Sequence, residues 1–156
     1  MKVNFTYSFR KEITEAANMV LHSNDYRNLR SVVWPSLINL LSGASSKEKV
    51  IRKVEEIWKK ISPQVEKTFK KFHLKEIGNV TCYLHAISCE GWFDVDDNSI
   101  HIRTTNHGNT INLVDTIIHE LLHLATYDEK LNYDEREAII DNFLVKPEFK
   151  NLVGRS

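Results

Sequence analysis

The chain changes its hydrophobic rhythm as it runs, and each change marks an element. Val80 to Ile87, Gly91 to Val95 and Ser99 to Arg103 alternate apolar residues with polar or β-prone ones, the period-two signature of strands. Asp96-Asp97-Asn98 between the last two predicts a hairpin turn, because these residues tolerate positive φ. From Asn112 the period lengthens to that of a helix, with Asn112 as N-cap and Asp115 in the positive first turn. Leu113, Ile117, Leu121 and Leu124 form one stripe and Val114, Ile118 and Leu122 widen it, so the helix is nearly apolar apart from His119, Glu120 and His123. Asn132-Tyr133-Asp134-Glu135 reads as a capping box opening another helix. Ala138, Ile139, Ile140, Phe143 and Leu144 give that helix its apolar face, and Lys146-Pro147 ends it.

The first half reads as helical over 9–22, 26–42 and 47–61. Val50, Ile51, Val54, Ile57, Trp58 and Ile61 recur at helical spacing in the third segment. Its register carries through Ser62-Pro63 to Val65, Phe69 and Phe72, which predicts either a kink there or a restart with Ser62 as cap. Ser42-Gly43-Ala44-Ser45-Ser46 is the predicted linker. Together these patterns describe an α+β chain forming one domain. N-terminal helices occupy 1–78; a small antiparallel sheet of about three strands, two helices and a tail occupy 79–156.

Composition narrows the classes. A chain of 156 residues, 42% hydrophobic and 27% charged, can bury a sizeable core in one unit. Lys59, Lys60, Lys67, Lys70, Lys71 and Lys75 interleave with Glu55, Glu56 and Glu66. With 21 basic and 21 acidic residues overall, they read as a solvated ion-paired surface and not as a nucleic-acid face. The N-terminus lacks the apolar run of a signal peptide and nothing matches a membrane span, so the expectation is a cytoplasmic protein. Cys82 and Cys89 are too few for a disulfide framework and are expected as reduced, buried thiols in the sheet.

The chemistry lies in the apolar helix. His119 and His123 are four positions apart, so they point the same way and can share one metal ion, and Glu120 sits beside it. Two neutral imidazoles suit Zn2+, which leaves room for a third protein ligand and a water of lowered pKa, with Glu120 as general base and acid. No histidine follows His123, so the third ligand is sought among carboxylates. Glu137 and Asp141 flank Ile140 and lean towards the buried side of their helix. Glu137 is the expected ligand, with Glu135 and Glu129 as alternatives, and Asp141 the acceptor that orients a ligand histidine through its second ring nitrogen. His85 and His101 in the strands are further histidines able to approach a metal. His107, Tyr127 and Tyr133 are candidates for donating to a tetrahedral oxyanion.

His119-Glu120-Leu121-Leu122-His123 followed by Glu137-Ala138-Ile139-Ile140-Asp141 resembles the gluzincin pattern of zinc metallopeptidases, and its 14-position spacer is nearer to the compact minigluzincins. The resemblance spans about 79 to 145. It implies a zincin-like fold, zinc held by His119, His123 and Glu137, Glu120 in acid and base work, and endopeptidase activity on peptide or protein substrates whose backbone pairs with an edge strand. Minigluzincins are similar in using a C-terminal segment for latency, so Pro147 to Ser156 is expected to lie in the substrate groove. The alternative in a different class is a zinc-binding regulatory or interaction module that keeps the fold and cleaves nothing.

Overall fold

The computed structural model describes residues 1–27, 32–104 and 110–153, with the side chains at 37–47, 110–112 and 153 also outside that description. Strand β1 (Lys2–Thr6) leads into helix α1 (Phe9–Leu21), the short helix α2 (Ser23–Arg27) and the long helix α3 (Leu37–Lys71). Strands β2 (Asn79–His85), β3 (Gly91–Asp94) and β4 (Ser99–Arg103) follow, then helices α4 (Thr110–Thr126), α5 (Tyr133–Leu144) and α6 (Pro147–Val153). The class is α+β, with six helices and a four-stranded sheet among the described residues.

The sheet corrects the expectation of three antiparallel strands. Its order is β1-β2-β4-β3; β2 pairs in parallel with β1 and with β4, and only β3 runs antiparallel, against β4. β1 went unread because five residues carry little period, and its partner Asn79–Tyr83 lies far along the chain. Val3 and Phe5 point into the core while Lys2 and Asn4 face water. The β3–β4 hairpin is as expected, with Asn98 at φ 46 in its turn. β4 then slots between β2 and β3, leaving β3 at the edge.

The helical half differs in two places. The segment expected as a helix over 26–42 is interrupted: Val33 bridges to Ser88, and α3 begins only at Leu37, after Pro35, a residue that disfavours helix in the one before it. The expected linker Ser42–Ser46 falls inside α3, and so does Ser62-Pro63, where the helix continues and does not restart. An interior proline costs ~3 kcal/mol, yet the buried stripe Val54, Trp58, Val65 and Phe69 continues across it and holds the helix together. α4 starts at Thr110, so Asn112 is not its cap and Asp115 lies beyond the first turn. α5 carries the predicted capping box: Asn132 Oδ1 accepts from Glu135 N at 3.0 Å, and Glu135 Oε2 from Asn132 N at 2.8 Å.

Strand alternation gives the sheet two unlike faces. Val80, Cys82, Leu84, Ile100 and Ile102 join the hydrophobic core with α4 and α3. His85, Ser99, His101 and Arg103, all buried, face the other way. α1 covers that polar face and inverts the usual pattern: it buries Glu12, Glu15 and Met19 and exposes Phe9, Ile13, Val20 and Leu21. Both cysteines are free; Cys82 is in the core, and Cys89 is half-buried in the turn after β2, not in a strand.

The tail also departs from expectation. Pro147–Val153 is a helix whose Phe149 and Leu152 are core residues, so this part does not lie in a groove; Gly154 to Ser156 lie outside the described residues. Phe149 meets the rings of Phe69, Phe72 and Phe143 at 6.1, 5.4 and 5.7 Å between centroids. Phe149→Ala should cost ~3–5 kcal/mol, read as a lower urea midpoint. Truncation after Lys146 should destabilise at least as much; a full-stability truncated chain would exclude this role for α6.

Candidate metal centre

Burial sets the rotation of α4. Leu113, Val114, Ile117, Ile118, Leu121, Leu122, Leu124 and Ala125 are all buried. His119, Glu120 and His123 take the sector left over, and Glu137 reaches the same place from α5. His119 Nε2 and His123 Nε2 are 3.0 Å apart, and the Glu137 carboxylate oxygens lie 3.5 Å from the first and 3.1 Å from the second. Ligand atoms at about 2.0–2.1 Å in tetrahedral array around zinc sit about 3.3–3.4 Å from one another. The three spacings fit one ion of that size, and the set of two imidazoles and a carboxylate is chemically suited to it. The His123 side chain is 5% exposed, while those of His119 and Glu137 are 28% exposed, so the trio opens on one side.

Burial tunes the neighbouring groups towards neutrality. It pushes the His123 imidazole down to about 4, with His119 and Arg136 adding to the effect, so the ring needs no proton removed before it can donate a lone pair. It pushes the Glu120 carboxyl up to about 8, with the charge of Glu137 raising it further. Phe93 of β3 stacks on His123 at 4.9 Å between centroids and 8° between planes, fixing the ring. Gly91 of β3 makes room for Glu120: a β-carbon there would lie 2.7 Å from Glu120 Oε1 and 2.8 Å from Thr116 Cγ2.

Glu135 is engaged as the helix cap and Glu129 is exposed, which leaves Glu137 with the histidines. Asp141 is exposed, and among the described residues no hydrogen bond joins its side chain to either histidine; it does not orient them. One further turn adds 40° of rotation, on the side away from the buried Ile140 and into solvent. Tyr133 stands beside the site: burial and then the Glu137 carboxylate hold its proton more tightly than usual. Tyr127 packs edge-on against Phe93 at 5.9 Å, with the Arg136 guanidinium 5.5 Å from its ring. His85 and His101 face the opposite side of the sheet, and His107 lies outside the described residues. Sequence reasoning missed Gly91 and Phe93; a glycine opening a strand was the available signal of a close approach. Comparison with protein-family models, curated proteins and solved structures finds no match to this chain.

The raised Glu120 carboxyl has a consequence for the metal-free protein. A carboxyl whose folded pKa is about 8 against an ordinary 4.5 weakens the fold as pH rises between those values, because the unfolded chain ionises first. Metal-free Glu120→Gln should therefore unfold at higher temperature than wild type at pH 8, by an amount worth more than ~1 kcal/mol, and the gap should close near pH 4.5. A gap independent of pH would show that Glu120 is not desolvated. Gly91→Ala should cost ~1–3 kcal/mol by overpacking, measured by denaturant unfolding.

Proposed function

We propose that this chain is a zinc-dependent peptidase, with His119, His123 and Glu137 as metal ligands and Glu120 as general base and acid. The observation that carries the reading is the convergence of those three donors at 3.0 to 3.5 Å, with a buried, proton-retaining carboxyl on the next residue of the same helix. Zinc, when bound, supplies a Lewis acid that polarises a carbonyl and acidifies water. Glu120 takes the proton from the attacking water and hands it to the leaving amine; a carboxyl pKa near neutrality suits both transfers. Tyr133, beside Glu137, supplies a phenolic donor at the mouth of the site. The outer edge of β3 is unpaired among the described strands, and its Phe93 touches His123, so an extended peptide added to that edge would pass the metal site. This arrangement supports the gluzincin-like reading of the sequence.

One observation favours the non-catalytic alternative. Glu120 is 5% exposed and wedged against Gly91, a position that also suits a purely structural carboxyl beside a fixed ion. Glu120→Gln separates the two. For a peptidase, one zinc per chain should remain while cleavage of a generic peptide falls at least ~100-fold, the size of a lost general base. His123→Ala should lose the zinc itself. Retained cleavage in Glu120→Gln, or a wild-type chain that stays metal-free after zinc loading, would overturn the proposal.

A further inference from the structure

α1 turns two glutamates, Glu12 and Glu15, onto the polar face of the sheet, and the fold uses them differently. Both oxygens of Glu12 are engaged: Oε1 accepts from Ala86 N at 2.9 Å, and Oε2 lies 2.7 Å from His85 Nδ1. His85 Nε2 continues to His101 Nδ1 at 2.9 Å, and His101 Nε2 to Ser99 Oγ at 3.2 Å. That chain is closed within the protein. On Glu15 both hydrogen bonds converge on Oε1, from Tyr26 Oη at 2.9 Å and Ser88 Oγ at 2.5 Å. Among the described residues no hydrogen bond reaches Oε2.

Glu15 is only 7% exposed, yet it lines a cavity of about 470 Å³ with Tyr26, Trp92, Asp25, Asn18 and His22. The carboxyl group of Glu15 therefore borders an open space, with Oε1 held by Tyr26 and Ser88 and no described partner on Oε2. A carboxylate this desolvated, with half its acceptor capacity unused, is best stabilised by a cation. The cavity has a second carboxylate in Asp25 and, among the described residues, no Lys or Arg in its lining. Its walls include the rings of Tyr26 and Trp92, and aromatic faces attract cations. Trp92 is braced from behind by stacking on His101 at 4.7 Å and 14°. Ser88, which anchors Oε1, is fully buried and held at φ 83, a backbone setting that a serine adopts only where its surroundings impose it.

We propose that this cavity, across the sheet from the metal centre, binds a primary ammonium group carried on a short apolar chain. One free carboxylate oxygen suits the point charge of an ammonium, whereas the bidentate pairing that favours a guanidinium would use both oxygens and Oε1 is already taken. The volume lies within the range of about 300–1,000 Å³ typical of small-ligand sites. The ammonium can come from a free diamine or from a lysine side chain of a peptide, and the proposal does not rest on the zinc reading.

The test is an NMR titration of the zinc-treated full chain with 1,5-diaminopentane, with Nα-acetyl-lysine methylamide, and with 1,5-pentanediol as the neutral control. Saturable shifts should gather at Asn18, Tyr26 and the Trp92 indole with the amines and be absent with the diol. Tighter binding of the diamine assigns a free amine, and tighter binding of the capped lysine a peptide side chain. Glu15→Gln, which keeps one acceptor oxygen for Tyr26 and Ser88, should weaken binding at least tenfold, and the rim substitution Asp25→Asn should weaken it several-fold. No saturable shift, shifts centred on His119 and His123, equal binding of the diol, or undiminished binding in both variants would each overturn the proposal. Should Glu15→Gln fail to fold, the wild-type map and Asp25→Asn decide the matter.

Discussion

Everything about the candidate centre depends on how completely α4 is enclosed. With eight apolar side chains buried around it, the helix has one rotational setting that leaves no hydrocarbon in water and no charge in the core. That setting delivers His119 and His123 to one gap. It also drives Glu120 against β3, and the approach is tolerated because Gly91 presents no side chain. The same packing explains the electrostatics. Burial moves His123 and Glu120 in opposite directions on the pH scale, and both moves favour the uncharged form. Without a cation His123 and Glu120 are thus both held in their uncharged forms, and Glu137 is the carboxylate left with partial access to solvent.

What was legible in the sequence was local. The i, i+4 histidines, the capping box at Asn132 and the β3–β4 hairpin are each specified within about five residues, and each appears as read. Glu137 was legible for a related reason, since the cap fixes where α5 begins and hence which way that residue faces. Asp141 failed because a side chain one turn on has rotated 40° away, and the buried stripe of α5 is narrow: Ile140 is its buried residue. β1 and the order of the sheet failed because long-range pairing decides them. α6 was misjudged because a terminal segment with a few apolar residues gives no hint of whether it meets a cleft or a core.

The inversion of α1 was the least legible feature. Its pattern would place Ile13, Val20 and Leu21 inside, and the fold places Glu12 and Glu15 there. The reason lies on another element: His85, Ser99, His101 and Arg103 give the sheet a polar underside, and a helix packed on it must bring acceptors. A buried carboxylate with both oxygens occupied, as in Glu12, is a fastening; one with an oxygen left over has capacity for something outside the chain.

The Glu12–His85 pair joins residues 73 positions apart, and β1 depends on β2 at comparable range. Contacts so distant in sequence must close long loops before they return any stability, which slows folding. On an emerging polypeptide, α1 would wait with its acids unmatched until the strands through Arg103 had been made. The N-terminal helix is therefore the part of this molecule whose order is borrowed from elsewhere, and the first to be released when the sheet loosens.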